Sequence, residues 1–161
     1  MRRFVFAAFV LLQTIAFGQG KMQAEDLQYL ASDQWKGELT YLDYSSNEQV
    51  AIPVEMTAEA LNDRTFVFSY HYPSEPKADN KVQLKVNGSF SKISGNPIIS
   101  RKVLPDGSVE IVTKRKGKDN KQKAWMHYIY VFGPNTFSLT SEVEYMDGSP
   151  LFIRSKFSFK R

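Results

Sequence analysis

The sequence predicts an all-β protein: a single antiparallel up-and-down barrel of about nine or ten strands, preceded by a short N-terminal helix and a cleaved signal peptide. Three observations carry that expectation. From residue 35 onward, apolar and polar side chains alternate with a period of two, the mark of strands with one buried face. Short clusters of Gly, Pro, Asn, Asp and Ser interrupt the alternation at near-regular intervals, as hairpin turns do. The chain has 161 residues and no repeat or low-complexity linker, which fits one domain.

The N-terminus reads differently. Arg2 and Arg3 form a basic head, the stretch from Phe4 to Phe17 is apolar apart from Gln13 and Thr14, and Ala16 and Gly18 supply small residues before a cleavage point. That is the grammar of a secretory signal, and the run is shorter than the ~20 residues a spanning helix needs. The expected division is a signal peptide over residues 1–18 and a barrel domain over 19–161. The barrel would be exported to the periplasm or beyond, with no stable membrane insertion once the leader is gone. With no cysteine, disulfides, thiolate metal sites and cysteine nucleophiles are excluded, so core packing alone must hold the fold. Lys and Arg total 21 against 17 Asp and Glu, a net charge of +4. This is too mild to argue for nucleic acid.

A helix is expected over residues 24–31, where Leu27 and Leu30 share a side and Glu25 and Asp26 occupy the first turn. Strands follow over residues 35–44, 49–57, 65–72, 81–87, 90–94, 98–104, 108–115, 123–132, 136–145 and 151–160. Paired residues of an antiparallel hairpin share a face, so loop length tests any assignment of the inner side. In the last strand Leu151, Ile153, Phe157 and Phe159 are expected inside, and in the strand before it Phe137, Leu139, Val143 and Tyr145. An Asp147-Gly148-Ser149 turn would set Val143 opposite Ile153. A Pro105-Asp106-Gly107 turn sets Lys102 opposite Glu110 and sends Ile99, Arg101 and Val103 inward. A three-residue Gly133-Pro134-Asn135 loop would send Trp125, His127, Ile129 and Val131 inward, with His127 opposite Ser141. Tyr128, Tyr130 and Phe132 would then form an outer aromatic stripe suited to a homodimer.

Several residues could carry function. A buried arginine keeps its charge and needs a counter-group. Arg101 would therefore meet an internal carboxylate, water, a bound anionic head group or the face of Trp35. The two histidines, His71 and His127, lie in different strands without metal-ligand spacing, so no metal site is expected. An inward His127 would be a hydrogen-bonded filler beside Ser141 or, alternatively, a haem ligand. No nucleophile elbow or inward carboxylate pair supports catalysis. Residues 114–123 hold six basic side chains and one acid, which reads as a solvated hairpin tip or a contact for phosphate-rich lipid head groups or anionic glycans. Asn87-Gly88-Ser89 fits both a glycosylation pattern and a strand bend.

The stretch from Leu27 to Tyr44, LQYLASDQWKGELTYLDY, resembles the opening of calycin barrels, the lipocalin-like and nitrobindin-like bacterial proteins. There a short helix precedes a strand carrying Gly-x-Trp-x-Gly. Trp35-Lys36-Gly37 matches its second half, with Asp33 at the place of the first glycine. The resemblance implies that Trp35 plugs the barrel end and that a basic residue of the last strand, Arg154 or Lys156, packs across it. The nitrobindin-like members also imply a haem-ligating histidine near the C-terminus, and here no histidine follows His127.

The expected function is therefore non-catalytic binding of a small apolar or amphipathic molecule inside the barrel, without a cofactor. Trp125, Ile129, Phe137, Leu139 and Phe157 would line the space, and Arg101, His127 and Ser141 would orient a polar end. The alternatives are a solid-cored barrel acting through its surface and a haem-binding barrel using His127.

Overall fold

The computed structural model describes residues 20–161; the stretch over residues 1–18 expected to be a signal peptide lies outside the described residues. After a single 3-10 turn at Ala24–Leu27 come ten strands: β1 (Ser32–Asp43), β2 (Glu48–Asn62), β3 (Thr65–His71), β4 (Asn80–Lys85), β5 (Lys92–Ile93), β6 (Asn96–Val103), β7 (Val109–Asp119), β8 (Gln122–Phe132), β9 (Thr136–Tyr145) and β10 (Phe152–Lys160). Their order in the sheet is β4-β3-β2-β1-β10-β9-β8-β7-β6-β5. Every hairpin neighbour is thus a sheet neighbour, and β1 closes on β10 through six pairs from Lys36↔Lys160 to Tyr41↔Ser155. The other seam, β4 to β5, is thin: one bridge, Val86↔Ile93, and the bond from Ser94 N to Lys85 O at 2.7 Å. The result is a nearly closed up-and-down barrel. Asn87, at the bend between those strands, accepts from the backbone nitrogens of Ser91 and Lys92 at 2.9 Å each, so its side chain builds the turn.

The wall is uneven. Pairing of β2 with β3 begins at Glu55↔His71, leaving residues 48–54 of β2 paired with β1 alone. Pairing of β7 with β6 ends at Ile98↔Thr113, leaving residues 114–119 paired with β8 alone. Strands β3 to β6 therefore stop short at one end of the barrel, below the rim set by the β1–β2 and β7–β8 hairpins.

The opposite end is filled. Trp35, Phe68, Phe132, Phe137 and Phe159 are buried together, with Phe137 5.6 Å from both Phe68 and Phe132 and 6.1 Å from Phe159 between ring centroids. Met22, Leu27 and Leu30 cap them. The expected helix is reduced to one 3-10 turn. Asp26 turns back to accept from Gln23 N at 2.7 Å and from Arg101, while Leu27 and Leu30 both sink into the core. These anchors fix the segment's direction without a longer helix.

Three facing expectations are corrected. In β8 the inner face is Met126, Tyr128, Tyr130 and Phe132, and Trp125, His127, Ile129 and Val131 point outward. The cause is the turn: Gly133 N bonds Thr136 O at 2.8 Å and Phe132 pairs with Phe137, so only Pro134 and Asn135 form the tip. A loop of even count inverts the parity. The supposed outer aromatic stripe is interior. In β10 a register shift between Ile153 and Ser155 puts Phe152, not Ile153, opposite Val143. Leu151 and Ile153 are then 45% and 46% exposed, while Phe157 and Phe159 keep the expected inward face. A second shift between Ile98 and Ser100 leaves Ile99 outside and buries Ile98; Val103, beyond Arg101, is also exposed.

Candidate functional site

Above the filled end, under the low wall of β3 to β6, the barrel interior is hollow. A cavity of about 340 Å³ lies between β3 and β4 on one side and β8 to β10 on the other. Its walls are the rings of Phe68, Tyr70, Tyr72, Tyr128, Tyr130 and Phe157, with Leu139, Val82 and Leu84 between them. Asn80, Gln83, Ser94 and Asn96 stand at the short strands. Period-two alternation puts Phe66, Phe68 and Tyr70 of β3 on one face, opposite Ala60, Ala58 and Met56 of β2.

Tyr70 stacks on Phe157 at 4.9 Å and 25° between ring planes, and Tyr130 stacks on Phe132 at 6.0 Å and 3°. Burial raises the hydroxyl pKa of Tyr70, and neighbouring Tyr72 and Tyr130 add to it. Burial does the same for Tyr130. Both stay protonated at any physiological pH and can donate. Among the described residues no charged side chain lines the cavity. Such walls suit a flat or elongated, largely apolar guest with a hydrogen-bonding group. Arg115 stands just beyond, exposed, and donates from Nη2 to the Tyr128 hydroxyl oxygen at 3.0 Å. On the inner face between Ile98 and Tyr128, Thr113 is fully buried, and its Oγ1 is the one buried side-chain polar atom among the described residues without a partner.

Of the residues singled out from sequence, Leu139 and Phe157 line this cavity. Ser141 is on the same inner face, across from Tyr128 rather than His127. Phe137 lies deeper, in the filled end. The other assignments change. Arg101 does face inward beside Ile111, but its counter-group is the chain's own: Nε and Nη2 donate to the two oxygens of Asp26 at 2.9 and 2.7 Å. That pair ties the N-terminal turn to the barrel and leaves the guanidinium engaged. His127 lies outside, with Nε2 3.0 Å from Glu144 Oε2, so the inward imidazole that haem ligation required is not there. Trp125 is also outside, with Lys114 and Lys116 ammonium groups 4.7 and 5.1 Å from its ring centroid. Ile129 shares that outer face, opposite Thr140.

Trp35 is 1% exposed, donates from Nε1 to Leu30 O at 3.0 Å, and closes the filled end. The cation across it is neither Arg154 nor Lys156 but the terminal Arg161, 4.8 Å above the ring. Arg154 instead sits at the open end, 4.4 Å over Tyr44. Tyr128 and Tyr130 come from the face of β8 that parity alone puts outside, and Tyr70 and Tyr72 from the alternating run Phe66, Phe68, Tyr70, Tyr72, which is the sequence signal for this wall.

Compared with solved structures, the chain is similar to the crystal structure of Rv2717c from M. tuberculosis, with a TM-score of 0.53 and 12% identity, covering 84% of this chain and 96% of that one. At this identity the likeness shows a common fold. No family model matches the sequence, and no curated protein does.

Proposed function

We propose that the protein is an exported, non-catalytic barrel that binds a small, uncharged or amphipathic, largely apolar molecule in its half-hollow interior. The observation that carries this is the 340 Å³ cavity walled by six aromatic rings, within the size range of small-molecule sites. The neutral lining favours a guest whose buried part has no charge, and the tyrosine hydroxyls favour one that offers an acceptor. An anionic end would reach Arg115 at the rim. Trp35-Lys36-Gly37 and the arginine over Trp35 support kinship with calycin-type barrels at the level of architecture. Among the described residues the cavity is lined by aromatic, aliphatic and neutral polar side chains, a lining that favours binding.

Native mass spectrometry of the purified protein, with organic extraction, tests this. The expected result is a stoichiometric small-molecule adduct that Leu139→Trp removes by filling the space. A protein without adduct, whose uptake of an apolar fluorescent dye is the same in wild type and Leu139→Trp, would overturn the reading.

A further inference from the structure

The open end of the barrel carries a surface that the interior site does not use. At the tip of the β7–β8 hairpin Lys118, Lys121 and Lys123 are all exposed. The β9–β10 turn lies beside it, joined through Met146 N to Lys123 O at 3.2 Å. This turn presents Met146, Leu151 and Ile153, which are 46%, 45% and 46% exposed. The bulge that turned Ile153 outward is what creates this apolar tip. Next to it a shallow depression is lined by Leu42, Tyr44, Tyr145, Phe152 and Ile153.

Of the acids here, Asp119 and Glu144 meet cations, Asp147 meets only donors of its own turn, and Glu142, opposite Ile153, is in no ion pair among the described residues. Asp119 accepts from Tyr145 at 2.9 Å and from Tyr44, and lies 3.5 Å from Arg154. Asp147 accepts from Ser149 N and Oγ. Glu144 accepts from Lys114, also within reach of His127, and both contacts lower its pKa. Lys118, Lys121 and Lys123 are in no ion pair among the described residues, so their charges face outward beside the half-exposed Met146, Leu151 and Ile153.

We propose that these two hairpin ends dock the barrel on an anionic lipid bilayer, the apolar side chains entering the head-group layer and Lys118, Lys121 and Lys123 pairing with lipid phosphates. Charge complementarity selects the partner: exposed cations framing aliphatic side chains match a surface that is anionic outside and apolar just beneath. The docking needs no guest in the cavity, and it turns the open end of the barrel toward the bilayer.

The cysteine-free chain allows a local test. Pro150→Cys, in the β9–β10 turn, and Leu61→Cys, on the β2–β3 hairpin at the filled end, are each labelled with an environment-sensitive fluorophore and mixed with vesicles of phosphatidylglycerol and phosphatidylcholine. The expected result is a blue shift at position 150 and none at 61, absent with phosphatidylcholine alone and reversed by salt. Replacing Lys118, Lys121 and Lys123 by Glu in the Pro150→Cys background should weaken the response by at least about fivefold per lysine. Leu151→Ser with Ile153→Ser should weaken it without removing the salt dependence. A shift at 61, at both positions or at neither would overturn the proposal. A response at position 150 to poly-glutamate but not to vesicles would also overturn it, and would give the surface to an acidic protein.

Discussion

Asp26 and Arg101 meet through two parallel bonds of 2.9 and 2.7 Å, although 75 positions separate them in the chain. Asp26 is almost fully buried and Arg101 only slightly open to solvent. Because the pair fixes the N-terminal turn over the filled end, its loss should release Met22, Leu27 and Leu30 as well as an unpaired charge. Arg101→Ala is expected to cost about 3 kcal/mol, since it strands a buried carboxylate. Asp26→Leu with Arg101→Met should cost much less than the two single changes added together. Urea midpoints of wild type, Asp26→Leu, Arg101→Met, their double variant and Arg101→Ala check this. Equal, additive losses would mean that the two side chains act independently.

Arg161 makes the second closure of that end. Its guanidinium lies over Trp35 and donates to Pro134 O from Nε and Nη2 at 2.9 and 2.6 Å. Removing the side chain exposes one face of a buried indole. Arg161→Ala should lower stability by about 1 kcal/mol, or roughly 3 °C in Tm. Arg161→Lys should recover little of it, because an ammonium lacks the planar fork that stacks and donates at once. Differential scanning calorimetry measures both.

These closures mark how far the sequence could be read. The strands and turns are local properties, so period-two alternation and turn chemistry located nearly all of them. The Pro105-Asp106-Gly107 turn even gave the Lys102↔Glu110 pairing. Facing in β8 failed because both of its faces are apolar and the tip at Pro134-Asn135 is one residue shorter than expected. A one-residue slip moves every side chain to the other face. The bulge at Arg154 was equally hidden: its guanidinium reaches back to Leu42 O on β1 and to Tyr44 just after it, a contact between residues far apart in the chain. The partners of Arg101 and Trp35 were missed for the same reason. Chain ends far apart in sequence meet only once the barrel closes.

His71 and Asp79 flank the β3–β4 connection at the open end, with Nδ1 to Oδ2 at 2.7 Å. Hydrogen bonding to Asp79 raises the pKa of His71 above its ordinary 6.5. The same contact, with Tyr72 N, lowers that of Asp79. A raised histidine favours the fold below its unfolded pKa and loses that contribution as pH climbs through the folded value. The lowered carboxylate contributes above its unfolded pKa and is lost as pH falls through its folded value. The connection should therefore be most ordered in mildly acidic solution and loosen as pH rises past 6.5 and through the raised folded value of His71. An NMR titration of the His71 ring should give a midpoint above 6.5 that returns to the ordinary value in Asp79→Asn. An unshifted midpoint in wild type would remove the pair from solution.

Thr113 offers the opposite kind of test, because its buried hydroxyl has no partner. A buried polar group without a hydrogen bond costs about 1–3 kcal/mol, and valine has nearly the same shape without the oxygen. Thr113→Val should raise stability by about 1 kcal/mol. A loss in the urea midpoint would instead mean that the hydroxyl is bonded in solution.

Gly37 explains why the Trp-x-Gly pattern needs its glycine. It sits on the β1–β10 seam opposite Phe159, where a Cβ would come within 1.8 Å of Ser158 O and 3.0 Å of Phe159 Cα. Both atoms belong to the backbone, so no rotamer change can relieve the contact, and β10 must move away from β1. Trp35 two residues earlier and Phe159 across the seam are both in the filled core. Any shift therefore opens the packing that surrounds the indole. Gly37→Ala should destabilise the barrel by about 3 kcal/mol, at the upper end for inserting one methyl group, and speed hydrogen exchange of the β1–β10 amides before those of β7–β8. Uniform exchange across the sheet, or a variant as stable as wild type, would show that the two strands are free to separate without cost.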